Sequence, residues 1–207
     1  MAVSGQTTNQ EAADDPDVLR LLEDLREKSG LKRDELLSRK IAGVLRQWPV
    51  IERAARVDDL VARPHSDPVW LAFVEAVTVH ETYFFRDPGQ LAVLAQDILP
   101  AMLAAKASAG RRSLRVWSAG CASGEEAYTV AMLALDAIAE RGESLAAWSV
   151  TVVGSDISRA IVARAAEGIY GGPGLNAFRR MLVRHAVHFE DCGDDHPGRR
   201  RISGRLS

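Results

Sequence analysis

At 207 residues, 47% of them apolar, the chain is long enough for one ordinary domain or two small ones and can bury a globular core. Twenty-six basic against 28 acidic side chains leave a formal charge of −2, so whole-protein charge argues for neither nucleic acid nor an anionic membrane. Two distant cysteines, Cys121 and Cys192, form neither a disulfide framework nor a paired CxxC zinc pattern, and point to a reducing, cytoplasmic setting.

The first 14 residues lack the basic and apolar regions of a secretory signal and read as a disordered, acidic leader. No stretch is expected to reach the roughly 20 apolar residues of a membrane span. From Asp17 to about Trp48 the pattern is helical, with Leu37, Ile41, Val44 and Trp48 on one core-facing side. The same arithmetic sets Lys32, Arg39 and Arg46 in a basic row on the opposite side, either a solvated face or a partner contact. Pro49, Pro64 and Pro68 punctuate the next segment, and DPVWLAFVEAVTVH resumes a helical pattern. The expected division is a leader over 1–14, a small all-helical unit over 15–83, and an α/β unit over 84–207.

In the second unit, PGQLAVLAQDILPAMLAAKA predicts a helix interrupted or ended near Pro100. LRVWSA is a short strand, GCASGEE a glycine-bearing turn, and AYTVAMLALDAIAE an apolar helix. WSVTVVGSD is a second buried strand, and SRAIVARAAEGIYGG a helix closed by glycines. Strand, turn, helix, strand, helix is the start of a doubly wound α/β sheet, whose ligands bind at the carboxyl ends of the strands.

The turn runs Gly120, Cys121, Ala122, Ser123, Gly124, Glu125, Glu126, and its GxxxG spacing differs from the dinucleotide GxGxxG. Two carboxylates at a helix start repel a pyrophosphate but accept a ligand bearing an ammonium or sulfonium. They also complement the helix dipole, by about 0.3 to 1 kcal/mol each. Asp156, at the tip of the second strand, is placed either to accept ribose hydroxyls or to cap the helix near Ser158. Ahead of all this lies HETYFFRDPG, three consecutive rings followed by Arg86, an order that neither strand alternation nor a helical stripe explains.

TYFFRD, RVWSAGCASGEEAY and VVGSDIS followed by ARAAEGIYGG closely resemble the CheR family, the S-adenosylmethionine-dependent methyltransferases of bacterial chemotaxis, from roughly Leu19 to Tyr170. The resemblance implies a helical N-terminal domain before a Rossmann-like methyltransferase domain, S-adenosyl-L-methionine as cofactor, and glutamates on the cytoplasmic helices of chemoreceptors as methyl acceptors. It assigns His80, Thr82, Arg86, Gly120, Gly124, Glu126 and Asp156 to the cofactor pocket, with Arg86 also near the reacting centre. It sets Lys32, Arg39 and Arg46 towards acidic receptor helices, in a protein expected to be monomeric and without nucleic acid or membrane insertion.

Of the three rings, two are expected as core between the domains and at most one in the pocket. The family's later strands are missing beyond Gly174, so the resemblance implies an incomplete methyltransferase domain and a truncated chain. A non-catalytic docking module with a degenerate cofactor site is the alternative. His185, His188, Cys192 and His196 fit no zinc spacing, and no metal is expected. The terminal GRRRISGR is either a nucleic-acid or partner patch or, the favoured reading, an ordinary hairpin arm cut short.

Overall fold

The computed structural model describes residues 15–78, 81–171, 177–193 and 198–203. The chain divides into two compact units, 1–79 and 80–207, so the boundary falls four residues before the expected one and TYFFRD lies wholly in the second unit.

The described part of the first unit is helical: α1 Pro16–Ser29, α2 Glu35–Arg46, α3 Val50–Ala62 and α4 Pro68–Val77. Three of the four starts are fixed by an aspartate cap. Asp15 accepts from the Asp17 N–H, Asp34 from Leu37 and Asp67 from Val69. The single helical stretch expected from Asp17 to Trp48 is therefore two helices, parted between Gly30 and Asp34. Helix α3 was not expected, because the prolines flanking it drew attention to breaks and away from the Val57 and Leu60 pair it buries. Leu37 and Ile41 are core as expected, but Ala42 and Leu45 are the next buried residues, and Val44 and Trp48 pack at the core's margin.

Helix α4 carries three valines, modest helix formers. Burial of Trp70, Phe73, Val74 and Val77 decides its state, since each such side chain is worth about 1.5 to 3 kcal/mol against a few tenths in propensity. At the centre of this unit the carboxylate of Asp24, only 6% exposed, accepts the Trp70 indole N–H at 2.7 Å and pairs with Lys28.

The second unit begins with α5 Pro88–Val93, a wide π-turn Leu94–Ile98 and α6 Leu99–Ser108. The helix is interrupted rather than ended, because the π-turn accommodates Pro100, which lacks an N–H and crowds the preceding turn. By length and composition the continuous run Pro88–Ser108 is apolar enough to cross a membrane, contrary to the expectation that no stretch would be; it contains Asp97, and Leu99 and Leu103 are buried in the unit's core.

Strand β1 Ser113–Ala119, helix α7 Glu125–Glu140 and strand β2 Ser149–Ser155 form a βαβ unit. The two strands are parallel, in register from Ser113 opposite Ser149 to Ala119 opposite Ser155. Helix α7 packs on the sheet face bearing Leu114; the other face exposes Trp117, whose indole N–H donates to the Ser155 hydroxyl at 2.9 Å. Helix α8 Arg159–Glu167 follows and ends at Gly168, after which Ile169–Gly171 is strand β3, not the helix end the sequence suggested. A 3₁₀ turn Val183–His188 leads to β4 Phe189–Asp191, and β5 Arg199–Ile202 lies between β3 and β4 in an antiparallel sheet. The expected hairpin arm is thus the central strand of a second sheet.

Candidate functional site

The tips of β1 and β2 meet at the glycine turn. Gly120 has φ 75°, a conformation that side chains rarely adopt. Its N–H and that of Cys121 both donate to the Ser155 carbonyl, at 2.7 and 2.9 Å, and tie the turn to the end of β2. A Cβ at Gly120 would meet nothing within 4 Å, so a ligand can approach the backbone there.

Ala122, also at positive φ, donates its N–H to Asp156 Oδ2 at 2.9 Å, and Asp156 Oδ1 accepts the Ser158 N–H at 3.1 Å. Asp156 therefore orients the turn from the neighbouring strand. The helix cap considered for it belongs to Ser158, whose hydroxyl accepts from Ile161. A carboxylate has about four acceptor positions, so bracing the turn and receiving a ribose are compatible.

Gly124 caps α7 at φ 95°, where a Cβ would lie 2.8 Å from Ala165 Cβ and 2.9 Å from Tyr170 Oη. The two acids that follow are treated differently by the fold. Glu125 is buried and accepts the Ser123 hydroxyl at 2.6 Å. Glu126 is exposed, with Oε1 accepting from Ser118 at 2.7 Å. Helical geometry separates the pair, since adjacent residues on a helix point about 100° apart.

Ser118, Ser123 and Tyr170 were not singled out by sequence. The Tyr170 hydroxyl donates to the Ser123 carbonyl at 2.7 Å, and burial, helped by the Glu125 charge, pushes its pKa well above the ordinary range. It braces the turn and does not ionise. Burial first, then the Asp156 charge, raises the Cys121 thiol, so that thiol is unsuited to nucleophilic work.

The three rings diverge. Tyr83 lies under the Arg179 guanidinium, 3.4 Å from its centroid. Phe84 is fully buried in the second unit's own core, edge-on to Tyr170 and Phe189 and stacked on Phe178, which corrects its expected place between domains. Phe85, at φ 58°, turns the other way and stacks on His185 at 4.3 Å. This left-handed residue, strained by roughly 1 to 3 kcal/mol, lets adjacent rings enter different environments.

The Phe85 N–H donates to Thr129 Oγ1 at 3.3 Å, one helical turn from Glu126, so the segment carrying Thr82 and Arg86 lies against the start of α7. Thr82 is half-buried, and Arg86 is exposed, its guanidinium donating to the Glu81 carbonyl at 2.7 Å. His80 lies outside the described residues.

In the first unit Lys32 precedes α2, so the basic row is not carried on one helix; Arg39 and Arg46 are exposed on α2, and Arg39 pairs with Glu35 at 2.8 Å. A cavity of about 370 Å³ lies beneath the glycine turn between α7, β2 and α8, lined by Cys121, Tyr128, Val162 and Ala165 among others. Neither Glu126 nor Asp156 lines it, so it lies apart from the acids at the strand tips.

A βαβ unit with an open, positive-φ glycine and two carboxylates near its strand tips is an arrangement that suits a cationic nucleoside ligand. Residues 80–194, more than half of the chain, match the family described as "CheR methyltransferase, SAM binding domain", and the chain belongs to that family. The family indicates S-adenosyl-L-methionine as the cofactor, and the residues present suit it: space over Gly120 admits the ligand, and the acids match its positive charges.

The chain is 31% identical to Chemotaxis protein methyltransferase 1 of Vibrio cholerae serotype O1 over 181 residues, 86% of this chain and 60% of that protein. It is 35% identical to the Chemotaxis protein methyltransferase of Vibrio anguillarum over 140 residues, 66% of this chain and 46% of that one. It is 37% identical to the Probable biofilm formation methyltransferase WspC of Pseudomonas putida over 172 residues, 83% of this chain and 38% of the relative. The chain thus spans between 38% and 60% of the length of these relatives.

Proposed function

We propose that this protein transfers a methyl group from S-adenosyl-L-methionine to glutamate carboxylates of a chemoreceptor cytoplasmic domain, through a Rossmann-like methyltransferase domain preceded by a receptor-facing helical domain. The observation carrying the proposal is the pair Glu126 and Asp156, each held by hydrogen bonds on either side of the open turn at Gly120. When bound, the cofactor supplies a methyl group already electrophilic on its sulfonium. A glutamate with an ordinary pKa of about 4.3 is ionised at neutral pH, so no general base is needed from this chain.

The protein's tasks are then to orient and to exclude water. Asp156 receives the ribose hydroxyls, Glu126 attracts the cationic end of the ligand, and Arg86, exposed beside the turn of α7, orients the incoming carboxylate. Thr82 borders the same pocket. Neutralising an acceptor glutamate removes a charge from the receptor helix, which is how the mark acts. Arg39 and Arg46, with Lys32, supply the basic surface for an acidic helical partner.

Calorimetric titration with S-adenosylhomocysteine is expected to give saturable binding. Glu126→Gln, at an exposed position, and Asp156→Asn, which keeps an acceptor for Ala122, should each weaken it roughly ten- to hundredfold, the equivalent of about 1.5 to 3 kcal/mol for a bond to a charged group. No saturable heat from the unaltered chain would sink the reading and favour the docking module. Stronger binding of NAD than of S-adenosylhomocysteine would instead favour an oxidoreductase.

A further inference from the structure

By spacing alone His185 and His188, grouped with Cys192 and His196, fit no zinc signature, and nothing in that spacing points to Asp136. The fold brings His185 and His188 to Asp136 on α7, and ligand atoms of all three lie within 4.8 Å of one another. The His-x-x-His spacing matters because it sits in a 3₁₀ turn, where side chains at i and i+3 eclipse. Both imidazoles accordingly face the same carboxylate, with their rings 22° from parallel.

His185 is 1% exposed, and its Nδ1 has no hydrogen-bond partner although Asp136 Oδ2 is 3.3 Å away. His188, also buried, places Nε2 3.4 Å from Asp136 Oδ1. Both separations exceed the roughly 2.7 to 2.9 Å of a charge-assisted bond. The two nitrogens face different oxygens of the one carboxylate, each at a separation close to the edge of a tetrahedron around zinc, about 3.3 to 3.6 Å for metal–ligand bonds of about 2.0 to 2.2 Å.

We propose that Asp136, His185 and His188 form a divalent-cation site that takes zinc. Two imidazoles and one carboxylate are a donor set zinc favours, with solvent completing the fourth position. Asp136 is 35% exposed at its side chain, which gives an ion a route from solvent. Cys192 is not part of the cluster, and His196 lies outside the described residues.

Among the described residues, the one neighbouring cation that touches a ligand is Arg184, whose Nε donates to His185 Nε2 at 3.2 Å. Coordination through Nδ1 puts the imidazole proton on Nε2, so the exposed Arg184 must turn away as the ion enters. The bound ion would fasten the 183–188 turn to α7. Because Phe85 stacks on His185, it would also steady the segment carrying Arg86.

The test is titration of the untagged, chelator-treated 207-residue chain with zinc by calorimetry and with cobalt(II) by visible absorption. One equivalent of zinc is expected, together with the intense d–d bands of tetrahedral cobalt and no thiolate charge-transfer band. Asp136→Asn should weaken zinc by at least about tenfold, whereas His65→Gln, at an exposed histidine in the first unit, should leave affinity unchanged.

A cobalt spectrum no different from the hydrated ion, or Asp136→Asn binding zinc like the parent, would overturn the site. The parent's cobalt spectrum decides even if Asp136→Asn does not fold. The readout uses the metal alone, so its outcome is independent of S-adenosylhomocysteine binding.

Discussion

Alanine at Gly124 is expected to abolish measurable binding of S-adenosylhomocysteine and to destabilise the second unit by about 2 to 5 kcal/mol. The estimate combines roughly 1 to 2 kcal/mol for a side chain in the left-handed region with about 1 to 3 for overpacking. The added methyl would meet Ala165 Cβ at 2.8 Å and the Tyr170 hydroxyl at 2.9 Å. Ala165 is fixed to the backbone of α8 and cannot swing aside, so either that helix or the turn must move. Tyr170 holds the Ser123 carbonyl, and pushing it away releases the turn from its second brace. Urea unfolding followed by near-ultraviolet circular dichroism, with calorimetry on the same sample, checks both effects. Parent-like affinity in Gly124→Ala would show that the turn tolerates displacement and is not the binding element.

The second large effect is expected in the first unit. Asp24→Ala should destabilise it by about 3 to 5 kcal/mol, because it strips a buried cation of its partner. Lys28 is only 20% exposed at its side chain, and Asp24 joins it to the Trp70 indole N–H. Lys28 would keep its bond to the Val61 carbonyl at 2.7 Å, which holds the ammonium in place without neutralising it. Trp70→Phe is the milder change, keeping the Asp24–Lys28 pair and losing one bond to a charged group, about 1.5 to 3 kcal/mol.

Hydrogen exchange distinguishes the two variants unit by unit. The slowest amides of α1 and α2 should exchange about two to three and a half orders of magnitude faster in Asp24→Ala, at 1.4 kcal/mol per tenfold. Amides of residues 80–207 serve as the internal reference. Unchanged protection in α1 would mean that the ion pair contributes nothing beyond surface charge.

Local chemistry made much of the chain legible in advance. β1, β2 and the intervening helix follow from apolar runs bounded by turn residues, and the structure places them within a residue or two of expectation. The motif GCASGEE marked the turn because a glycine at positive φ and an acid at a helix start are requirements of the backbone itself. The interruption at Pro100 was readable for the same reason.

Other features were not legible, and the misses share a cause. The antiparallel sheet β3–β5–β4 pairs β5 with β3 about 30 residues before it and with β4 about ten residues before it, and each segment is three or four residues long, too short for a period to register. Continuation of a helical pattern through Gly30 misled because amphipathic spacing on both sides is satisfied by two helices packing on one core.

Composition and spacing established the class of architecture, the turn chemistry and the acids at the strand tips, because those depend on interactions a few residues long. Only tertiary packing decided which of two adjacent acids faces solvent, that Phe84 and Phe85 part company, and that Asp136 meets two histidines some fifty residues later. Such partners are chosen by how helices and sheets bury apolar surface, and that choice is made by the whole chain at once, not by any window of it.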